Sequence, residues 1–239
     1  MNNNIYETLD AVLEHFRKRQ AKFKLVNEKL RCVLPDGEKL TDEERQLIIQ
    51  NKDQILERVK RDLEKEQWQQ MQSVYALSPL QEGILFHHIS SPQSNQYSVQ
   101  LSWRMTGSLN VQAMEIAWQA LVDHHAIFRT SFEWIEVNQP VQVVHSSAVI
   151  NYNYLDLRQE SDVHEAFESF RRKDFETCYD LRQPCQMRIS VLQKGDQTYE
   201  LIWNHHHILT DGWCTPLILT EVKERYECLI NNENYSAIE

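Results

Sequence analysis

Three adjacent histidines, His205, His206 and His207, precede an aspartate–glycine pair, Asp211 and Gly212, in the stretch NHHHILTDGW. An imidazole changes charge close to neutral pH and can take a proton from a nucleophile. A carboxylate a few positions further on can orient such a ring or a neighbouring group. A glycine N–H just ahead of a helix start can face a developing negative charge. The stretch therefore admits three readings: a metal site, a catalytic base with an aspartate partner, or an idle run in a solvated loop.

Side-chain alternation discriminates among them. The preceding residues, CQMRISVLQKGDQTYELIWNHHH, read as a hairpin turning at Lys194, Gly195 and Asp196. On its second strand Tyr199, Leu201, Trp203 and His205 share one face, joined by His207 if the strand lasts that far. Glu200, Ile202, Asn204 and His206 share the other. Three neighbouring histidines on a regular strand cannot converge on one ion. His205 and His207 offer two ligands at most, and no further ligand cluster stands out, so no metal is expected. His206 and Asp211 also fit the H-x4-D spacing of glycerolipid acyltransferases, a short pattern that arises readily by chance. His206 is read instead as a core histidine that orders the turn, and His207 as the reactive one. Glycine is scarce, five in the whole chain, so Gly212 is expected to answer a backbone demand.

The positioning elements are helices and strands in alternation. LSPLQEGILFHHI carries an S-x-x-Q capping box at Ser78 with Pro79 at the first helical position. Val111, Met114, Ala117, Trp118, Leu121 and Val122 line one face of a helix capped by Asn110, and Val163, Phe167 and Phe170 one face of another. QYSVQLSWRM, FRTSFEWIEV and PVQVVH alternate as strands. Thr215 and Pro216 suit the cap and first residue of a last helix.

Ahead of this lies a smaller unit. Ile5, Leu9, Val12, Leu13 and Phe16 recur at helical spacing. Phe23 and Leu25, then Leu30, Cys32 and Leu34, alternate on either side of an Asn27-Glu28 turn, and Pro35-Asp36-Gly37 ends the second strand. Thr41 and Glu44 form a capping box before one or two further helices. The expected organisation is residues 1–62 as this unit, 63–74 as a charged, Gln-rich helical tail grading into a linker, and 75–239 as the larger unit. Charge supports the division. Residues 1–70 carry 14 basic and 14 acidic side chains, and residues 71–239 carry 11 and 21, which accounts for the net charge of −10. That balance argues against nucleic acid. No window approaches the roughly 20 apolar residues of a membrane span, and no signal-peptide core opens the chain. Five scattered cysteines without a CxxC pair suit reduced thiols in a cytoplasmic protein.

HHILTDGW resembles the HHxxxDG signature of condensation domains of nonribosomal peptide synthetases. YALSPLQEGILFH (75–87) resembles the opening motif of that family. DHHAIFRTSF (123–132) resembles its RHxxLRTxF motif, with Arg129-Thr130 kept and the usual Arg-His beginning altered or one position off, at Asp123 and His124. The small unit, on FKLVNEKLRCVLPDGEKLTDEERQLIIQNKDQIL, resembles the tubulysin-type docking domains that precede such enzymes. The resemblance implies an α+β chain. A small α-β-β-α(-α) docking domain would be followed by one chloramphenicol-acetyltransferase-like lobe with a mixed sheet flanked by helices, and the second lobe would be absent. It implies amide-bond formation between carrier-bound thioesters, with His207 positioning or deprotonating the amine and Gly212 beside the oxyanion. His206, Asp211 and Arg129 would support the site, the last two as a partly buried ion pair. No cofactor is implied beyond the phosphopantetheine arms of upstream and downstream carrier proteins. One lobe alone is expected to be catalytically silent and to leave an apolar face exposed, so a pure docking module is the competing reading. The C-terminal tail of an upstream subunit is expected to add as a strand along Lys29 to Leu34. There Leu30, Cys32 and Leu34 point inward, and Lys29, Arg31 and Val33 meet a tail with acidic residues around an apolar one.

Overall fold

The computed structural model describes residues 8–26, 29–91 and 94–235, with residues 63–69 described by backbone alone. The chain divides into two compact units, Met1–Gln69 and Gln70–Glu239.

In the first unit α1 (Leu9–Lys18) is capped by Thr8 and buries Val12 and Phe16. The strands β1 (Lys22–Val26) and β2 (Lys29–Val33) pair antiparallel, with Phe23 opposite Cys32 and Leu25 opposite Leu30. Helices α2 (Asp42–Gln50) and α3 (Lys52–Gln70) complete it, and Val12, Phe16 and Ile55 form its core with Phe23, Leu30, Cys32 and Leu47 packed around them. The capping box of Thr41 and Glu44 is present. The same Glu44 carboxylate is buried against Arg19 and His15. Burial alone would raise its pKa, but the hydrogen bonds from Arg19, Thr41 and His15 outweigh that and bring it down to about 2.

Two details differ from expectation. Leu34 lies beyond the end of β2, so the strand is Lys29–Val33. The helical tail runs as α3 to Gln70, and Met71–Ala76, where it was expected to grade into a linker, form a strand, β3. Ile5 and the Asn27-Glu28 turn lie outside the described residues.

The second unit continues with α4 (Pro79–Ser90), β4 (Ser98–Thr106), α5 (Val111–His124), a 3-10 turn (Ala126–Arg129), β5 (Thr130–Glu133), β6 (Val141–His145), β7 (Asn151–Asp156), α6 (Val163–Glu176), β8 (Met187–Gly195), β9 (Thr198–His206) and α7 (Cys214–Asn231). Its strands form two sheets, the mixed one that was expected and a second, antiparallel one. One is antiparallel, in the order β3-β6-β5; the other is mixed, in the order β4-β9-β8-β7, with β7 parallel to β8. The β8–β9 turn is Asp196-Gln197, because Gly195 still pairs with Thr198.

The mixed sheet is covered on both faces, which explains why β8 and β9 are almost wholly buried. Met187, Ile189, Tyr199, Leu201 and Trp203 pack in one cluster with Trp118 and Leu121 of α5 and Ile218 and Val222 of α7. Leu192 and Ile202, from the opposite alternation, pack with Phe167 of α6. Asn110 and Ser78 cap α5 and α4 as the sequence implies. Helix α7 begins at Cys214 rather than at Pro216, and its cap position, Trp213, offers no side-chain bond.

Candidate active site

Strand β9 ends at His206, so the three histidines leave the sheet in three environments. His205 follows Trp203 in the alternation and stacks on it, ring centroids 4.4 Å apart. It is buried, and its Nδ1 has no protein partner. His206 faces the other way. Its ring lies 6.0 Å from those of His88 and Tyr179 and 6.5 Å from that of Tyr97. Its Nδ1 accepts from the Ile208 N–H at 3.2 Å, which closes the turn after the strand. Burial pushes the pKa of both rings down to about 4, with neighbouring histidines adding to the effect. Both are therefore neutral near pH 7. His207 is half-buried and belongs to the turn, and its backbone N–H donates to Tyr97 O at 2.7 Å.

Asp211 is exposed and acts on the backbone. Its carboxylate accepts from the N–H groups of Trp213 and Cys214, 3.0 and 3.3 Å away, and so fills the role expected of Thr215 at the start of α7. Arg129 is buried, and its guanidinium donates to the carbonyls of Val122, Asp123 and His145 and to Gln72 Oε1. The Arg129–Asp211 ion pair expected from the motifs is therefore not formed. Arg129 instead closes the C-terminal end of α5 and ties it to β3 and β6, where helix carbonyls lack intrahelical donors and favour a cation. With the His206 ring buried against the turn and the Asp211 carboxylate exposed on the helix start, the H-x4-D spacing has no matching contact.

Gly212 is exposed, does not adopt a left-handed backbone, and has no atom within 4 Å of where a Cβ would stand. Nothing in this chain demands glycine there. The open space lies at the start of α7, beside the turn that carries His207.

Several supporting residues escaped the sequence reading. Gln81 of the α4 capping box reaches Ile208 O at 3.4 Å and so links the opening motif to the histidine turn. Arg188 of β8 sits over the Tyr179 ring, 4.3 Å from its centroid, and pairs with Asp174 of α6 at 2.9 Å. Asp174 also receives the Asn204 amide. A cation at the start of an apolar strand was a usable signal, since a buried charge requires a partner. The histidine run holds no converging ligand set. Among the described residues, the group with metal-compatible donors is His124, His125 and Glu221, at the C-terminal end of α5 and on α7. There Glu221 already binds His125 and Arg225, each at 2.6 Å.

The sequence model of the condensation-domain family matches residues 71–239. The chain belongs to that family. It is 34% identical over 158 residues to gramicidin S synthase 2 of Brevibacillus brevis, covering 65% of this chain and 4% of that protein. To surfactin synthase subunit 3 of Bacillus subtilis it is 32% identical over 169 residues, covering 70% and 13%. In fold it resembles the starter condensation domain of rhizomide synthetase, with a TM-score of 0.65 at 22% identity, covering 70% of this chain and 42% of that one. The first condensation domain of the calcium-dependent antibiotic synthetase gives 0.64 at 17% identity over the same shares. This condensation-domain chain thus spans a small part of its synthetase relatives and less than half of the solved domains it resembles. The first unit, Met1–Gln69, lies outside the matched family segment. No described helix is long and apolar enough to cross a membrane, and the five cysteines are free.

Proposed function

We propose that the second unit supplies the histidine half of an active site that joins two carrier-bound acyl groups through an amide bond. The aminoacyl or peptidyl thioester would arrive on the phosphopantetheine arm of an upstream carrier protein, and the attacking amine on that of a downstream carrier. The amine must be unprotonated and aimed at the thioester carbonyl, and the tetrahedral stage must have its negative charge relieved. His207 is assigned to the amine because it alone of the three histidines keeps exposure at the strand end. That observation carries the reading. His206 closes the turn beneath it, and Asp211 and Arg129 hold the two flanking helix ends. Gly212 is assigned to the space beside the oxyanion, where its missing side chain leaves room.

The test is His207→Ala in the full-length synthetase subunit. Loss of a positioned proton acceptor should lower dipeptidyl-thioester formation by ~10²–10⁴-fold with folding unchanged. Turnover close to the parent level would end the assignment. Helix α4 exposes Leu80 and Phe86, and α7 and its approach expose Leu217 and Trp213. Such apolar surface suits a face that a second lobe covers, and on that ground the 239-residue chain alone is proposed to be silent.

The first unit is proposed to dock the C-terminal tail of an upstream subunit. Its support is a cationic sheet face. Lys22, Lys24, Lys29, Arg31 and Val33 are exposed, and the register sets Lys24 directly against Arg31. Like charges opposite one another destabilise a sheet. Holding them there suits an acidic peptide laid along β2, with Leu30 and Cys32 anchoring the strand from beneath. Exposed pairs are screened over ~8 Å at physiological salt, so tail affinity should fall as salt rises. NMR shifts confined to the helices, with residues 29–33 unmoved, would refute strand addition.

A further inference from the structure

We propose that Tyr97 is a positioning residue for His207, acting through its backbone rather than its hydroxyl. This rests on the reading of His207 as the reacting group. Tyr97 has φ 65°, a left-handed conformation for a bulky residue that glycine or asparagine normally supplies. It is the third residue of a turn, Asn95 to Ser98, closed by Ser98 N–H donating to Asn95 O at 3.0 Å. Strain of this kind persists where surrounding contacts over-determine it, and it concentrates at functional sites.

Two contacts do so here. The Tyr97 carbonyl accepts the His207 N–H at 2.7 Å. The Tyr97 ring lies 5.8 Å from that of His87 and 6.5 Å from that of His206. The regular β4–β9 ladder ends with Ser98 opposite His206. The bond from His207 to Tyr97 is therefore a half-rung beyond the ladder. It holds the His207 backbone to the sheet after its own strand has ended, while β4 has already bent away. Without it the residue that must meet the amine would be placed only by a turn. The exposed ring explains the residue type: it lies beside the rings of His87 and His206, where glycine would leave a gap.

Two substitutions separate backbone from ring. Tyr97→Asn keeps a residue that tolerates the left-handed region but removes the ring. Tyr97→Val is β-branched and cannot hold that backbone without strain. In the 239-residue chain, amide hydrogen exchange at His207 should remain slow in Tyr97→Asn and speed up by ~10-fold in Tyr97→Val, as expected when a single hydrogen bond is lost. In the full-length subunit, Tyr97→Val should lower kcat by ~10–10²-fold, the cost of about 1 Å of misplacement, with KM little changed. Tyr97→Asn should lose less turnover than Tyr97→Val. Unchanged His207 exchange in Tyr97→Val would overturn the proposal, and so would equal loss of turnover in both variants. If His207→Ala is fully active, the reading of His207 as the reacting group fails, whereas the exchange experiment still reports whether Tyr97 positions that residue.

Discussion

The two characteristic charges of the site, Arg129 and Asp211, should prove energetically independent. In Arg129→Ala four hydrogen bonds disappear, to the carbonyls of Val122, Asp123 and His145 and to Gln72. At about 1 kcal/mol net for each, with up to about 1 kcal/mol more for a cation at a helix C-terminus, the loss comes to roughly 4–5 kcal/mol. Release of a buried charge to water offsets part of this, so about 3–4 kcal/mol is expected. Asp211→Ala removes an exposed cap from α7, with the Trp213 and Cys214 N–H groups left to water, and should cost about 0.5–2 kcal/mol. The two share no partner, so the double variant should lose the sum of the two, with a coupling below about 0.5 kcal/mol. Urea unfolding of the four proteins in the cycle, at a constant m-value, measures this. A coupling of about 2 kcal/mol or more, with Asp211→Ala as damaging as Arg129→Ala, would restore the ion pair and refute the assignment of Arg129 to the helix end.

Acid should destabilise the second unit through its buried histidines. The folded pKa values of His205 and His206, about 4, lie below the ordinary 6.5, so the unfolded chain binds protons first. Their contribution is complete above about pH 6.5 and is lost as pH falls toward 4, at no more than about 1.4 kcal/mol per pH unit for each ring. Urea midpoints between pH 7 and 4.5 should show this slope, and His206→Gln should reduce it; a flat profile would place both rings in water. Gly212→Ala should leave the thermal midpoint of the chain unchanged, because a Cβ there meets no atom within 4 Å. The same change should slow condensation in the full-length subunit by crowding the acyl group, and an unaffected rate would remove Gly212 from the site.

Much of the fold was legible because local rules decide it. The α5 face and its Asn110 cap follow from spacing alone, as do the two capping boxes. Alternation correctly set His205 beside Trp203 and turned His206 away. What failed depended on distant partners or on backbone groups. Arg129 binds three carbonyls, which any residue supplies, so its partners leave no mark in the sequence. Whether strands share one sheet or two depends on long-range pairing, which period-2 patterns do not report. The left-handed turn at Tyr97 breaks the residue preference by which such turns are recognised. The α7 start was misplaced because Thr215-Pro216 is a good cap pattern, yet Asp211 reaches the helix N–H groups first.

The question of why three histidines stand together has a physical answer in the end of β9. A strand that stopped on aliphatic residues would bury them more cheaply, since each buried imidazole weakens the fold below pH 6.5. His206 offsets that cost with an acceptor that leucine lacks. Its Nδ1 takes the Ile208 N–H and bends the chain immediately after the strand. His205 and His206 remain neutral near pH 7, so they set no like charge beside His207. A cationic neighbour at that distance would disfavour proton uptake by a base. Two histidines thus act as uncharged support, one against Trp203 and one against the turn, and leave the third for the chemistry proposed for it. On this argument His206→Arg should impair condensation more than His206→Gln at equal folded fraction, because only the arginine adds a fixed charge next to His207. Rates for the two variants in the full-length subunit, corrected for folded protein, decide it: equal losses would mean that His206 matters for the shape of the turn and not for the charge around it.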